Sequence, residues 1–397
     1  MELTQFDLER ARHDTPGTAH VAHLNNAGAA LPPTQVTDAV IAHLRREAEI
    51  GGYEAAAEAR DQVEHTYDAI SRLIGCSTDE VAVVENATRA WDMAFYGIEF
   101  APGDRILTAR AEYSSNVIAF LQVAARSGAV VEVVENDESG QLSVSDLSDK
   151  FDNGEGPVKL VAVTHVPTQG GLVNPAIEIG AATREAGVPY LLDACQSVGQ
   201  FRVDVDEIGC DFLSATGRKY LRGPRGTGFL YVRANMLEHL EPPFLDLHAA
   251  AWTAPDRYQI RPDARRFENW ETNYAGKIGL GVAVDYALSW GIEAIEERIN
   301  VLAGRLRQML GDVDGVTVHD QGQRQCGIVT FTVEGVPSQE VQQRLAERGV
   351  NVSVSLVEYA RLDLSHRGLP DLARASVHYY NTEEDLQRLI DALPKPR

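Results

Sequence analysis

One lysine lies where an amine could form a covalent imine. Lys219 follows the apolar run DFLSAT and lies in a turn flanked by Gly217 and Gly223. Glycines allow close backbone packing, so a lysine inside such a turn can be desolvated, and desolvation lowers the pKa of an amine. A lone lysine is usually a solvated surface charge, so this interpretation depends on the residues that accompany it.

Two further motifs supply a carboxylate and an anion site. Asp193 ends the apolar run PYLLD, so we expect its carboxylate at a strand terminus, although an isolated aspartate there more often serves a turn. The segment VVENATRAW passes from a strand pattern into a helix pattern. Backbone N–H groups near Ala87 and the hydroxyl of Thr88 could therefore bind a phosphate, and an ordinary helix cap at Asn86 is equally compatible.

A lysine, a carboxylate, a stacking ring and a phosphate site are together what pyridoxal 5'-phosphate requires. The sequence therefore predicts this cofactor, with Lys219 as the catalytic residue. A hydrolase without the cofactor, based on Thr216-x-x-Lys219, is disfavoured because the usual motif begins with serine.

Two ordered motifs resemble those of class V aminotransferases, which have the pyridoxal-phosphate fold type I. They are LLDACQSVGQ (191–200) and ATGRKYLRGPRGTGFLYV (215–232), and the resemblance extends from HLNNAGAALPP (23–33) to RASVHYYNTEEDLQRL (374–389). It is strongest to the branch of cysteine desulfurases and selenocysteine lyases. The resemblance implies an α/β fold with a large, doubly wound, mainly parallel sheet domain and a smaller α+β C-terminal domain.

The resemblance also implies roles in cofactor binding. Lys219 would hold the cofactor covalently, Asp193 would pair with the pyridinium and Gln196 would donate to the phenolate oxygen. Tyr113 would stack on the ring, where relatives often carry histidine. The remaining cofactor-binding residues would contact the phosphate, and they are Ala87, Thr88, Thr216, Arg218 and, from the neighbouring subunit of a homodimer, Thr272.

For the substrate, the resemblance implies that Arg374 binds the carboxylate of an amino acid, a task suited to a guanidinium group. Asn26 and Thr168 are the other predicted substrate-binding residues. No metal site is predicted.

One departure from the desulfurase pattern affects the predicted reaction. The segment VSVSLVEYARLDLSH (352–366) lacks the loop cysteine with which persulfide-forming desulfurases attack the substrate sulfur. The sequence therefore favours a carbon–sulfur lyase that eliminates the β-substituent of cysteine, a cysteine S-conjugate or a sulfoxide. REAEIGGYEAA (46–56) resembles a segment of lyases that cleave cysteine sulfoxide conjugates. An aminotransferase, an amino-acid epimerase and a non-enzymatic scaffold remain alternatives.

Composition restricts the partners. The formal charge of −22 disfavours nucleic acid and anionic membranes, and four widely spaced cysteines are typical of a reduced, cytoplasmic protein. The N-terminus lacks the apolar core of a signal sequence, and no apolar run is long enough for a membrane span.

The elements that must position these residues follow from hydrophobic periodicity. Between residues 80 and 233, short apolar runs alternate with helical patterns, which predicts a sheet covered by helices on both faces. After residue 290 the pattern changes to a long charged helix followed by short strands and helices. We predict an N-terminal segment (1–20) packing on the small domain, a large cofactor-binding domain (21–289) and a small C-terminal domain (290–397).

Overall fold

Strands and helices alternate over most of the chain. The computed structural model describes residues 5–397. The strands are β1 (Ala22–His23), β2 (Val81–Val84), β3 (Arg105–Thr108), β4 (Val130–Val133), β5 (Val158–Thr164), β6 (Tyr190–Asp193), β7 (Phe212–Thr216), β8 (Gly228–Val232), β9 (Ala250–Ala254), β10 (Arg257–Ile260), β11 (Val316–Val318), β12 (Ile328–Val333), β13 (Val350–Asn351), β14 (Ser353–Ser355) and β15 (Leu372–Ser376).

Fourteen α-helices connect these strands or flank them within the described residues. They are α1 (Gln5–His13), α2 (Thr34–Ile50), α3 (Gly52–Glu58), α4 (Arg60–Ile74), α5 (Ala87–Phe95), α6 (Ser114–Ser127), α7 (Val144–Asp152), α8 (Ala176–Ala186), α9 (Val205–Ile208), α10 (Ala234–Leu237), α11 (Tyr274–Trp290), α12 (Ile292–Gly311), α13 (Ser338–Glu347) and α14 (Glu383–Ala392). No single described helix has both the length and the apolar character of a membrane span, and only the pair α11 and α12 does so jointly, bent by 78°.

The central sheet has seven strands in the order β2-β8-β7-β6-β5-β3-β4. Only β8 runs antiparallel to its neighbours. Strands such as β6 and β7 are buried along their whole length, because helices cover both faces of the sheet, and this explains their continuous apolar sequences. The predicted doubly wound, mainly parallel sheet is confirmed.

The register of this sheet brings three strand ends together. Thr164 of β5 lies opposite Asp193 of β6, and Asp193 lies opposite Ser214 of β7. Ligands of doubly wound sheets bind beyond the carboxyl ends of the strands. The loops that follow these three strands therefore surround one candidate site.

A second, antiparallel sheet of four strands has the order β11-β12-β15-β14 and packs with α12 and α13, while α14 contacts these two helices, β1 and β13. The helices α11 and α12 are separated by Gly291, which has a positive φ of 82°. The boundary at 289/290 falls within one or two residues of this break, and the division into domains stays a prediction.

The N-terminal part of the chain contacts this second sheet and its helices. β1 pairs in parallel with β13, and Asn25 forms a bridge with Ser376. Arg12 donates to the backbone oxygen of Tyr380 and to the carboxylate of Asp385. The packing of residues 1–20 on a separate small domain stays a prediction, and residues 1–4 lie outside the described residues.

Candidate active site

Lys219 lies in a closed turn directly after β7. The amide of Gly217 donates to Thr227 O at 3.0 Å, and the amide of Gly223 donates to Gly217 O at 2.7 Å. The lysine side chain is buried, and burial is the main cause that lowers its pKa below the ordinary value. A larger fraction of Lys219 is therefore a neutral amine, the form that can bond to a carbonyl carbon or accept a proton.

Arg222 connects this turn to distant parts of the chain. Its backbone has a positive φ of 61°, a conformation that costs a non-glycine residue about 1 kcal/mol or more. The buried guanidinium donates to Leu31 O at 2.8 Å, to the Tyr379 hydroxyl at 2.5 Å and to the Thr15 hydroxyl. These hydrogen bonds hold the lysine turn in one conformation.

Asp193 lies at the carboxyl end of β6 and is buried. One carboxylate oxygen accepts from Asn116 Nδ2 at 3.1 Å and the other from the amide of Cys195 at 3.0 Å. The two donors hold the carboxylate in one orientation. This arrangement suits a carboxylate that must face a protonated ring nitrogen.

Asn116 is in turn held by a second buried carboxylate, that of Glu112. Glu112 accepts from Asn116 Nδ2 at 2.9 Å, from the amides of Tyr113 and Thr164 at 2.8 and 2.9 Å, and also from the Thr164 hydroxyl. Burial, with a smaller contribution from Asp193, raises the pKa of Glu112 to about 7. Glu112 and Asn116 were not predicted from the sequence, although a glutamate between an apolar run and a helix start is a signal for a buried polar role.

The predicted phosphate site has the expected helix start. Asn86 caps α5, its side chain accepting from the amide of Arg89 at 2.9 Å, and Ala87 and Thr88 form the first turn. Gly228 packs against this turn, where a methyl group would lie 2.8 Å from Asn86 C and 2.9 Å from Ala87 N. Only glycine lets β8 approach the phosphate site this closely.

An inner cavity of about 410 Å³ unites most of the predicted cofactor residues. Its lining includes Ala87, Thr88, Tyr113, Thr168, Asp193, Gln196, Thr216, Arg218 and Lys219. Asn86, Asn116, Thr164, Val166 and Cys195 complete it. Gln196 donates through Nε2 to Ala27 O at 3.0 Å, while its buried Oε1 has no partner among the described residues. The amide therefore retains hydrogen-bonding capacity for a ligand.

An outer chamber of about 850 Å³ adjoins the inner cavity. Four residues line both spaces: Tyr113, Thr168, Arg218 and Lys219. Arg374 lines only the outer chamber. Arg374 is buried, and burial lowers its pKa to about 10. Its guanidinium makes only long hydrogen bonds of 3.4 and 3.5 Å, and none of the ion pairs among the described residues includes it. Such a group is ready to pair with an anion.

Two predicted residues lie away from both spaces. Asn26 is fully buried, and its amide contacts Ser376, His23 and Tyr380, so its role in substrate binding stays a prediction. Its neighbours Ala27 and Gly28 line the outer chamber instead.

Thr272 lines a separate small depression on the other side of the lysine turn, beside Thr227. It does not reach the inner cavity of its own chain. A contact of Thr272 with a neighbouring subunit's cofactor stays a prediction.

The described residues match one family over most of their length. The model of the aminotransferase class-V family matches residues 22–389. The chain belongs to this family. The predicted family and its pyridoxal-phosphate fold are confirmed, and the donors around the inner cavity fit the cofactor: an amine, a carboxylate beside it and a helix start.

Similar proteins of the class-V family carry desulfurase names. A probable cysteine desulfurase of Methanothermobacter thermautotrophicus is 30% identical over 391 residues, 97% of each chain. One from Xylella fastidiosa is 32% identical over 407 residues, covering 99% of this chain and 96% of its own. The apo structure of the cysteine desulfurase from Thermococcus onnurineus NA1 superposes with a TM-score of 0.89 at 26% identity, covering 98% of both chains. The prediction of a desulfurase-like, cofactor-dependent enzyme is confirmed.

Proposed function

We propose that this class-V enzyme is a carbon–sulfur lyase that eliminates the β-sulfur substituent of a cysteine-type amino acid without a protein thiol. The observation that carries this proposal is the composition of the two joined spaces. They offer a buried lysine and a buried, ion-pair-free arginine, but no reactive cysteine along the loop from Val354 to Leu362.

The cysteines of the chain are poorly suited to accept sulfur. Cys76, Cys210 and Cys326 line neither space. Cys195 lines the inner cavity, but burial raises the pKa of its thiol well above the ordinary value, and the neighbouring Asp193 raises it further. Since the thiolate is the nucleophile, Cys195 is a poor acceptor for a persulfide sulfur.

The chain's own residues divide the work of an elimination. The guanidinium of Arg374 binds the substrate carboxylate, and Asp193 keeps the ring nitrogen of the cofactor protonated. The bound pyridoxal phosphate supplies an electron sink that acidifies the α-carbon. Lys219 Nζ accepts the α-proton, because its lowered pKa leaves a neutral amine. Lying between the two spaces, Lys219 can return that proton to the departing sulfur.

The α5 start and Thr216 hold the phosphate end of the cofactor. The N–H groups of the first turn of α5 are free of helical partners, and they carry the positive end of the helix dipole. Thr88 and Thr216 both line the inner cavity. These contacts would hold the phosphate of the cofactor in the cavity that Lys219 and Asp193 also line.

Product analysis of the purified holo-protein tests the reaction type. The protein is incubated with L-cysteine and S-methyl-L-cysteine, with Lys219→Ala as the control. The expected products are pyruvate, ammonia and hydrogen sulfide or methanethiol, all absent in the control. Alanine with released sulfur would instead show desulfuration. A keto acid with an aminated cofactor would show an aminotransferase, and inverted stereochemistry alone would show an epimerase.

The proposal includes a homodimer located in the cytoplasm. A groove of about 730 Å³ between α2, α4 and α11 and the exposed side chains of Leu44 and Tyr53 offer an apolar surface for a second copy. All four cysteines are unpaired, as is usual in a reducing compartment. Light scattering of the purified chain tests the dimer, and a mass of one chain would contradict it.

A further inference from the structure

The outer chamber is larger than the substrate's reacting part requires. In the proposed reaction Lys219 and Arg374 hold the amino acid, and both residues line the chamber of about 850 Å³. Pockets for whole small molecules measure about 300–1,000 Å³. The thiol of cysteine would leave most of this volume to water.

One wall of the chamber is the apolar face of α6. Val117, Ile118 and Leu121 follow at spacings of one turn or less and line the chamber together with Tyr113 at the start of the helix. Ile118 is 66% exposed and Leu121 58% exposed. Exposed apolar side chains that converge on a cavity indicate a ligand with an apolar part.

The opposite wall is the loop after β14. Leu356, Tyr359 and Leu362 line it, and the ring of Tyr359 is 59% exposed. Glu358 and Arg361 also line the chamber and are exposed, so charge is present on this wall in both signs. Two tyrosine rings, Tyr113 and Tyr359, line the same chamber as these aliphatic side chains, a setting that favours an aromatic ligand.

This loop wall has its own internal support. Ala360, Leu364 and Leu372 form a small buried cluster, and the amide of Leu364 donates to Ala360 O at 2.8 Å. The amide of Val357 donates to the carboxylate of Asp371 at 2.8 Å. A wall supported in this way is preformed, so a ligand does not have to order it on binding.

We propose that the outer chamber is the subsite for a bulky, aromatic S-substituent, so that the substrates are cysteine thioethers rather than cysteine itself. The inference rests on the proposed lyase function and specifies its substrate class. In the reaction, the α-proton leaves carbon, the Cβ–S bond breaks with both electrons going to sulfur, and the sulfur is protonated. Thioether and water thus give thiol, pyruvate and ammonium, with no oxidant or reductant.

Binding of analogues that cannot react tests the subsite separately from the chemistry. The α-methyl forms of S-benzyl-L-cysteine and S-methyl-L-cysteine lack the α-hydrogen, and their binding to the holo-protein is measured by calorimetry. The benzyl compound is expected to bind at least about tenfold more tightly, since each methylene in an apolar pocket contributes about tenfold or more. Equal or weaker binding of the benzyl compound would overturn the proposal.

Substitution of an exposed wall residue connects this preference to the chamber. Leu121→Asp is expected to remove most of the benzyl preference, while Ile177→Asp, which changes another exposed apolar position, on α8 and outside the chamber, keeps it. Melting curves and light scattering confirm that both proteins are folded and unchanged in mass. If Leu121→Asp alters the oligomeric state and retains the preference, the wall contacts a second copy and the proposal fails.

Turnover of S-benzyl-L-cysteine then separates the two proposals. Pyruvate from this compound, formed with a higher kcat/KM than from S-methyl-L-cysteine, supports both. A benzyl preference in binding without any pyruvate supports the subsite and contradicts the lyase. Pyruvate from L-cysteine with no benzyl preference in binding or turnover supports the lyase and contradicts the subsite.

Discussion

The inner cavity and the outer chamber differ in how they are built. The inner cavity is lined by strand ends and helix starts of the central sheet, and its key groups have assigned partners, as Asp193 has in Asn116 and the Cys195 amide. The outer chamber is lined by an exposed helix face and a loop, as Ile118 and Tyr359 illustrate. A cofactor common to the family would therefore occupy the inner cavity, and the substrate of this particular enzyme would occupy the outer chamber.

Arg374 lines the outer chamber together with Lys219, and its substitution should give the largest effect. Arg374→Lys keeps a positive charge but loses the two-pronged hydrogen bonding of the guanidinium. We expect kcat/KM to fall about 10- to 100-fold, mainly through KM, because a hydrogen bond to a charged group contributes about 1.5–3 kcal/mol. Steady-state kinetics measure this, and the cofactor absorbance should match that of the unmodified enzyme. An unchanged KM would show that the carboxylate binds elsewhere.

Gly228→Ala should disturb the inner cavity alone. The added methyl group would press on Asn86 and Ala87 at under 3 Å, which must move the phosphate site. Overpacking of this kind costs about 1–3 kcal/mol, so we expect cofactor affinity to fall about tenfold or more. Fluorescence titration of the apo-protein with pyridoxal phosphate gives the affinity. A loss of benzyl preference without a loss of cofactor affinity would contradict the separation of the two regions.

Glu112→Gln should have the smallest effect and depend on pH. The variant places an amide among the donors of Asn116 and Thr164, which costs about 1 kcal/mol for a lost hydrogen bond. The pKa of Glu112 is raised from 4.5 to about 7 in the folded protein. A raised pKa favours folding below the ordinary value, and this contribution is lost as the pH rises through about 7.

The free energy of unfolding of the unmodified protein minus that of Glu112→Gln should therefore fall between about pH 5 and about pH 8. Urea unfolding at several pH values measures it. A difference that grows over this interval would show that the Glu112 carboxylate is already ionised at the lower end. Thr108 also donates to Glu112, at 3.2 Å. The control is therefore Thr108→Val, which removes one hydrogen bond to Glu112 without replacing a titrating side chain.

The sequence predicted most of the central sheet because its strands are buried on both faces. Runs such as VKLVAVT coincide with β5 (Val158–Thr164). The hairpin of β9 and β10 was missed, since its strands are exposed and partly polar and give no apolar run.

Within the site, motif residues such as Lys219 and Asp193 could be predicted because each follows a strand directly. Glu112 and Asn116 could not, since their partners Thr164 and Asp193 lie 52 and 77 residues further along the chain. The burial of Asn26 could not be predicted for the same reason, because its partner Ser376 belongs to a strand 350 residues away.

The three hydrogen bonds of Arg222 impose an order on biosynthesis. The guanidinium reaches Thr15 near the beginning of the chain and Tyr379 near its end, while its own backbone is held in the left-handed region. During translation, the large sheet can form while Tyr379 is still inside the ribosome, but the lysine turn then lacks one of its buried partners. The lysine turn therefore gains its full set of buried hydrogen bonds only after Tyr379 has been synthesised and has packed against Arg222.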